Sequence, residues 1–241
     1  MNFHVTYPRF LLIIVLFLSV KFSSAQNVSE LSGAWQLNKD SGEEVLLFQD
    51  GYFTHTTYRS ENGEFVSTRG GTFNEGKGQV SVDVEFNSTD KDEVNLKRDY
   101  KWAVKGDRLT ININGKPEEW KRLDKGKAPL AGVWRITDRM EDGKIVPIHQ
   151  TGTRKTLKIL TGERFQWVAI DPGTKSFSGT GGGKYTFKDG KYTEHIEFFS
   201  RDNDRVGAKL TFDGKLEAGK WHHSGLSSKG DKIYEVWGRV K

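Results

Sequence analysis

The chain has 241 residues, 37 of them Lys or Arg against 32 Asp or Glu for a formal charge of +5, and it contains no cysteine. Disulfides and a lipid anchor on an N-terminal cysteine are therefore excluded, and each domain must be held by burial alone. Basic residues alternate with acids, as in Asp90-Lys91-Asp92-Glu93, with no Lys/Arg block dense enough to track a phosphate backbone, so nucleic acid is not an expected partner.

In chain order, the first element is a leader over residues 1–25. Arg9 closes a short basic start, an apolar run from Phe10 to Val20 follows with only Ser19 interrupting it, and Ser23-Ser24-Ala25 offers small residues for cleavage. The run is shorter than the roughly 20 apolar residues that span a bilayer. The expected product is an exported protein, periplasmic or secreted, with no membrane span after cleavage. Because Arg9 and Lys21 leave with the leader, the remainder carries 35 basic against 32 acidic residues and is nearly neutral.

The rest of the chain says nearly the same thing twice. Leu31-Ser32-Gly33-Ala34-Trp35 returns as Leu130-Ala131-Gly132-Val133-Trp134, and Glu119-Trp120-Lys121-Arg122 returns in Glu235-Val236-Trp237-Gly238-Arg239. Val84-Glu85-Phe86 matches Ile196-Glu197-Phe198, and Gly70-Gly71 matches Gly182-Gly183, both at a spacing of 112 residues. Two tandem domains follow, residues 27–124 and 130–241, joined by a charged linker at 125–129. Within each, short alternating runs such as Val80, Val82, Val84 and Phe86 read as strands with one buried face. Glycines punctuate them at turn-like intervals, and Asp189-Gly190 and Asp213-Gly214 are the strongest hairpin signals. Seven or eight short strands per copy with little helix predict an all-β sandwich or small barrel.

The ends of each copy favour a barrel. A Gly-x-Trp on the first strand and an Arg on the last resemble the ends of lipocalin-like barrels, where the guanidinium lies across the indole and seals one end; the pairs here are Trp35 with Arg122 and Trp134 with Arg239. The second copy adds Phe165-Gln166-Trp167-Val168, Gly181-Gly182-Gly183-Lys184-Tyr185 and the segment from Lys191 to Phe198. Over nearly all of residues 130–241 it resembles a lipocalin-like domain of unknown function from secreted bacterial proteins. That resemblance implies two tandem antiparallel β-barrels and an exported setting, and it supplies no activity. The first copy matches less well, lacking the Tyr-Thr-Glu segment.

The copies disagree in chemistry at equivalent positions. Val80, Val82, Val84 and Phe86 stand opposite Tyr192, Glu194, Ile196 and Phe198, Leu109 and Ile111 opposite Trp221 and His223, and Phe53 and His55 opposite Phe165 and Trp167. A carboxylate on a core-facing strand costs several kcal/mol unless paired or hydrogen-bonded. The expected site is a cavity in the second barrel, lined by Trp167, Tyr185, Tyr192, Glu194, Trp221 and His223 with Phe198 on its wall, that binds a small, partly apolar molecule without a cofactor. The competing readings are a satisfied buried network without a ligand, a structural or interaction role in the cell envelope for which the plain first barrel is suited, and an enzyme using Glu194 and His223 as acid and base. Adjacent strand residues face opposite ways, so only one of His222 and His223 can join Glu194, too few ligands for zinc. Nothing selects His149, His195 or His223 for haem, and Gly179-Thr180-Gly181-Gly182-Gly183 lacks the ending of a phosphate loop and reads as a bend of close backbone approach. Asn27-Val28-Ser29 and Asn87-Ser88-Thr89 fit the glycosylation sequon.

Overall fold

The computed structural model describes Met1 and residues 29–148, 150–227 and 230–240. The leader beyond Met1, the sequon asparagine Asn27 and His149 lie outside the described residues. Strands β1 (Gly33–Lys39), β2 (Gly42–Gln49), β3 (Tyr52–Tyr58), β4 (Phe65–Gly76), β5 (Gln79–Asn87), β6 (Lys97–Lys105), β7 (Arg108–Ile111) and β8 (Glu118–Asp124) form a closed antiparallel barrel in sequence order. The second barrel comprises β9 (Gly132–Glu141), β11 (Lys155–Leu160), β12 (Arg164–Asp171), β13 (Ser176–Lys188), β14 (Lys191–Phe199), β15 (Lys209–Glu217), β16 (Lys220–Leu226) and β17 (Lys232–Arg239). It closes by pairing β17 with β9, while β10 (Lys144–Pro147) hangs as a hairpin on the far half of β9. Among the described residues, helix is confined to two single 3₁₀ turns at Lys91–Glu93 and Asn203–Arg205. No helix among the described residues is long and apolar enough to cross a membrane.

In each barrel an arginine of the last strand lies over the tryptophan of the first. Arg122 stacks 3.8 Å from the Trp35 ring centroid and Arg239 4.3 Å from that of Trp134. The indole N–H groups donate four residues back, Trp35 to the Leu31 carbonyl at 2.8 Å and Trp134 to that of Leu130 at 2.9 Å. The glycine of the motif is required there: a Cβ on Gly132 would overlap the Arg239 guanidinium, and one on Gly33 the Asp124 carbonyl.

Turn chemistry accounts for one hairpin and corrects another. Asp189-Gly190 joins β13 to β14 with positive φ at both residues, 50° and 72°, the type I′ pattern. Asp213-Gly214 instead lies inside β15, and the turn falls at Ala218-Gly219 with φ of 50° and 75°. Gly214 makes room for Phe187, which a Cβ there would strike. The Gly-rich run 179–183 is likewise strand: Gly181 and Gly182 leave space for the Trp167 and Phe198 rings.

Register shifts occur at three places in each barrel, and one equivalent pair of them redirects side chains. Bulges between Gly70 and Gly71 and between Gly182 and Gly183 leave Glu85 and Glu197 with no residue opposite them on the neighbouring strand and turn Phe86 and Phe198 outward. Phe198 is therefore not a wall of the second barrel; it stacks on Tyr58 of the first, ring centroids 5.2 Å apart. It belongs to an apolar layer between the barrels, with Val45, Leu47, Tyr52 and Phe86 facing Leu157, Ile159, Val168 and Ile170. A polar seam crosses the same layer. Gln166 accepts from the Thr56 hydroxyl at 3.1 Å and donates to Thr68 and Thr180 at 3.1 and 3.0 Å. Lys155 bonds Glu85 at 2.7 Å.

Candidate functional site

Alternation along β11 sends Leu157 and Ile159 toward the first barrel and Lys158 into the second. There the Lys158 ammonium meets Glu194, Nζ to Oε1 2.7 Å, with only 6% and 5% of the two residues exposed. Three rings surround that ammonium, those of Tyr192, Trp221 and Trp237, at 5.1, 5.3 and 5.4 Å. A desolvated cation over several aromatic faces gains about 2 kcal/mol or more. Tyr185, Tyr192, Glu194, Trp221 and His223 are thus brought together, with Tyr192 4.9 Å from Trp221 and 5.6 Å from His223. The space between them is taken by Lys158, where the sequence anticipated a guest.

Trp167 stands apart. Half-buried, it packs edge-on to Phe199 at 5.4 Å, with Arg201 5.9 Å from its ring. His223 and Glu194 do not pair. The His223 Nδ1 faces Glu235 at 3.3 Å, and Glu235 also accepts from Trp237 Nε1 at 3.1 Å. Burial, then the Lys158 charge, pushes His223 below its ordinary value. Burial works to raise Glu235, but the His223 hydrogen bond and the nearby Lys158 outweigh it and hold the carboxyl down. With Glu194 held by the Lys158 ammonium and His223 by Glu235, the geometry does not bring Glu194 and His223 together as a pair. His222 points the other way and meets the Tyr234 hydroxyl at 2.9 Å.

Space opens at the rim. The Gly-x-Trp glycines are 99 residues apart and later positions 112 apart, and the extra residues form the β9–β10 hairpin and the connection to β11. A cleft of about 650 Å³ lies against them, walled by Ile136, Val146, Pro147 and Ile148 and by Arg135 and Arg154, with Glu235 also facing it. Arg135 donates to the Arg154 carbonyl at 3.2 Å, and neither guanidinium has an acidic partner among the described residues.

The first barrel is not plain inside. Glu44 on β2 takes hydrogen bonds from His55 at 2.7 Å and Asn114 at 3.1 Å and an ion pair from Lys39. His55 stands where the second copy has Trp167, and the signal that completes the network is the equivalent exchange of Glu44 for Thr156 at the same spacing of 112. Burial works to raise Glu44, yet its bonds to His55 and Lys39 hold it at about 2 against an ordinary 4.5. Burial pushes His55 below its ordinary 6.5. Both groups, like His223 and Glu235, bind fewer protons folded than unfolded, so stability is full above the unfolded values and is lost as pH falls through them toward the folded ones. Urea midpoints are expected to drop steadily from about pH 7 to about pH 3, with a shallower fall for Glu44→Gln; a flat profile would contradict the network.

Lys158 was legible and overlooked: at the spacing of 112 it replaces Leu46, the same apolar-to-charged exchange that singled out Glu194. The Asn87 sequon is spoken for, since Asn87 is buried and donates to Glu93 at 2.7 Å. Compared with known proteins, the chain matches no family profile and no curated protein.

Proposed function

We propose that the chain is an exported, lipocalin-like small-ligand-binding protein whose ligand enters at the rim of the second barrel. The observation that carries this reading is the cleft beneath a hairpin that the first barrel lacks. Its apolar wall of Ile136, Val146, Pro147 and Ile148 suits a short hydrocarbon, and the two guanidiniums without carboxylate partners suit an anionic head. The packed interior behind it, with Lys158 and Glu194 locked together, keeps the barrel rigid while the rim binds. Calorimetric titration of the full chain with octanoate and with octylammonium tests this. Octanoate is expected to bind, octylammonium not, and Arg154→Glu is expected to weaken octanoate about tenfold. Equal binding of both probes, or none of octanoate, overturns the reading.

A further inference from the structure

The mouth of the first barrel carries a second, chemically distinct cleft of about 290 Å³. We propose that it is a binding site for a neutral, polyhydroxylated molecule, a sugar or sugar alcohol, independent of the rim cleft on the second barrel. Its floor is the Glu44 and His55 network, and its walls are Thr57, Ser67, Arg69 and Asn114. Cross-strand pairing of β3 with β4 sets Thr57 opposite Ser67 and His55 opposite Arg69. The Thr57 and Ser67 side chains make no hydrogen bond among the described residues. Arg69 gives Nη2 to the Ile113 carbonyl at 2.9 Å, while its Nε is a buried donor without a partner. Such a donor costs about 1–3 kcal/mol where it stands, and because Arg69 lines the cleft, its Nε–H reports on whatever settles beside the guanidinium.

The twin barrel supplies the comparison. Positions 112 residues on carry Trp167 for His55, Ala169 for Thr57, Gly181 for Arg69, Phe199 for Asn87 and Leu226 for Asn114. The register is conserved between the copies, Trp167 opposite Gly181 and Gly181 opposite Phe199, as His55 is opposite Arg69 and Arg69 opposite Asn87. One fold therefore fills this place with an indole lying over a glycine and edge-on to a phenyl ring. The other leaves it open and lines it with donors and acceptors. Charge at the mouth is balanced, because Lys39 pairs with Glu44 and Glu118 and Arg69 lies 3.8 Å from Glu93. Neither an anion nor a cation is drawn in, and the polar walls offer an apolar molecule nothing.

The test follows the Arg69 Nε–H resonance in nitrogen-proton spectra of the full chain. D-glucose, D-galactose and D-mannitol are added in turn, with sodium acetate and tetramethylammonium chloride as charged comparators. At least one of the three polyols is expected to shift that signal saturably while the Trp167 Nε1–H signal stays in place, and neither ion is expected to do so. Thr57→Val with Ser67→Ala keeps the reporter, and loss of two neutral hydrogen bonds is expected to weaken binding about tenfold. No saturable shift with any of the three, an acetate shift of equal size, or an unchanged affinity in the double variant overturns the proposal. Octanoate binding at the other barrel is untouched by any of these results.

Discussion

Replacing Lys158 with methionine is expected to lower the melting temperature by about 10 °C, the largest effect of any single substitution here. The side chain is nearly isosteric, so packing changes little, but Glu194 loses its ammonium partner while remaining 5% exposed. Removing one member of a buried pair costs about 3–5 kcal/mol, because the remaining charge is neither solvated nor paired. In a chain of this size each kcal/mol displaces the transition by roughly 2–4 °C. The double variant Lys158→Met with Glu194→Leu is expected to recover most of the loss, since a hydrophobic pair of similar volume often matches a buried ion pair. Circular dichroism melts of the three proteins decide it. A single variant that melts with the parent would mean that Glu194 reaches water.

Asp124→Ala is expected to cost about 2–4 kcal/mol, read as a lower urea midpoint. This residue ends β8 of the first barrel, yet it accepts hydrogen bonds from the Thr161 hydroxyl at 2.7 Å and the Gly162 and Glu163 amides at 2.8 and 3.1 Å in the second. It also takes the Gly126 amide of the linker at 2.7 Å. Charged acceptors of several donors are worth more than neutral ones, and here one carboxylate fixes the turn between β11 and β12. Amide exchange at Gly162 and Glu163 is expected to accelerate in the variant ahead of the strands around them. Unchanged exchange there would remove Asp124 from this role.

Much of the fold was legible because duplication let each copy check the other. The Gly-x-Trp and terminal Arg positions located the clamps, and the period-2 pattern of Val80, Val82 and Val84 gave the inward face of β5 correctly. At Phe86 and Phe198 it failed, since a bulge reverses alternation without changing a single residue type. The contact between barrels was present in the sequence in another form. Val45-Leu46-Leu47-Phe48 is a continuous apolar run, which is what a strand covered on both faces requires: Leu46 and Phe48 fill the first barrel while Val45 and Leu47 meet the second. Within the candidate site the inward charge of Lys158 was legible from its exchange for Leu46, but its pairing with Glu194 and that of His223 with Glu235 were not. Lys158 reaches Glu194 across the barrel from β11, and strand order alone does not fix which long side chain fills a given centre.

The apolar layer and the Gln166 seam bind two repeats that each have a closed sheet of their own. Neither half can be excised without exposing Leu157, Ile159, Val168 and Ile170 or their counterparts to solvent. The natural thermodynamic unit is then the pair. Scanning calorimetry should show one endotherm with matching calorimetric and van't Hoff enthalpies, so that a lesion in either half melts both at once.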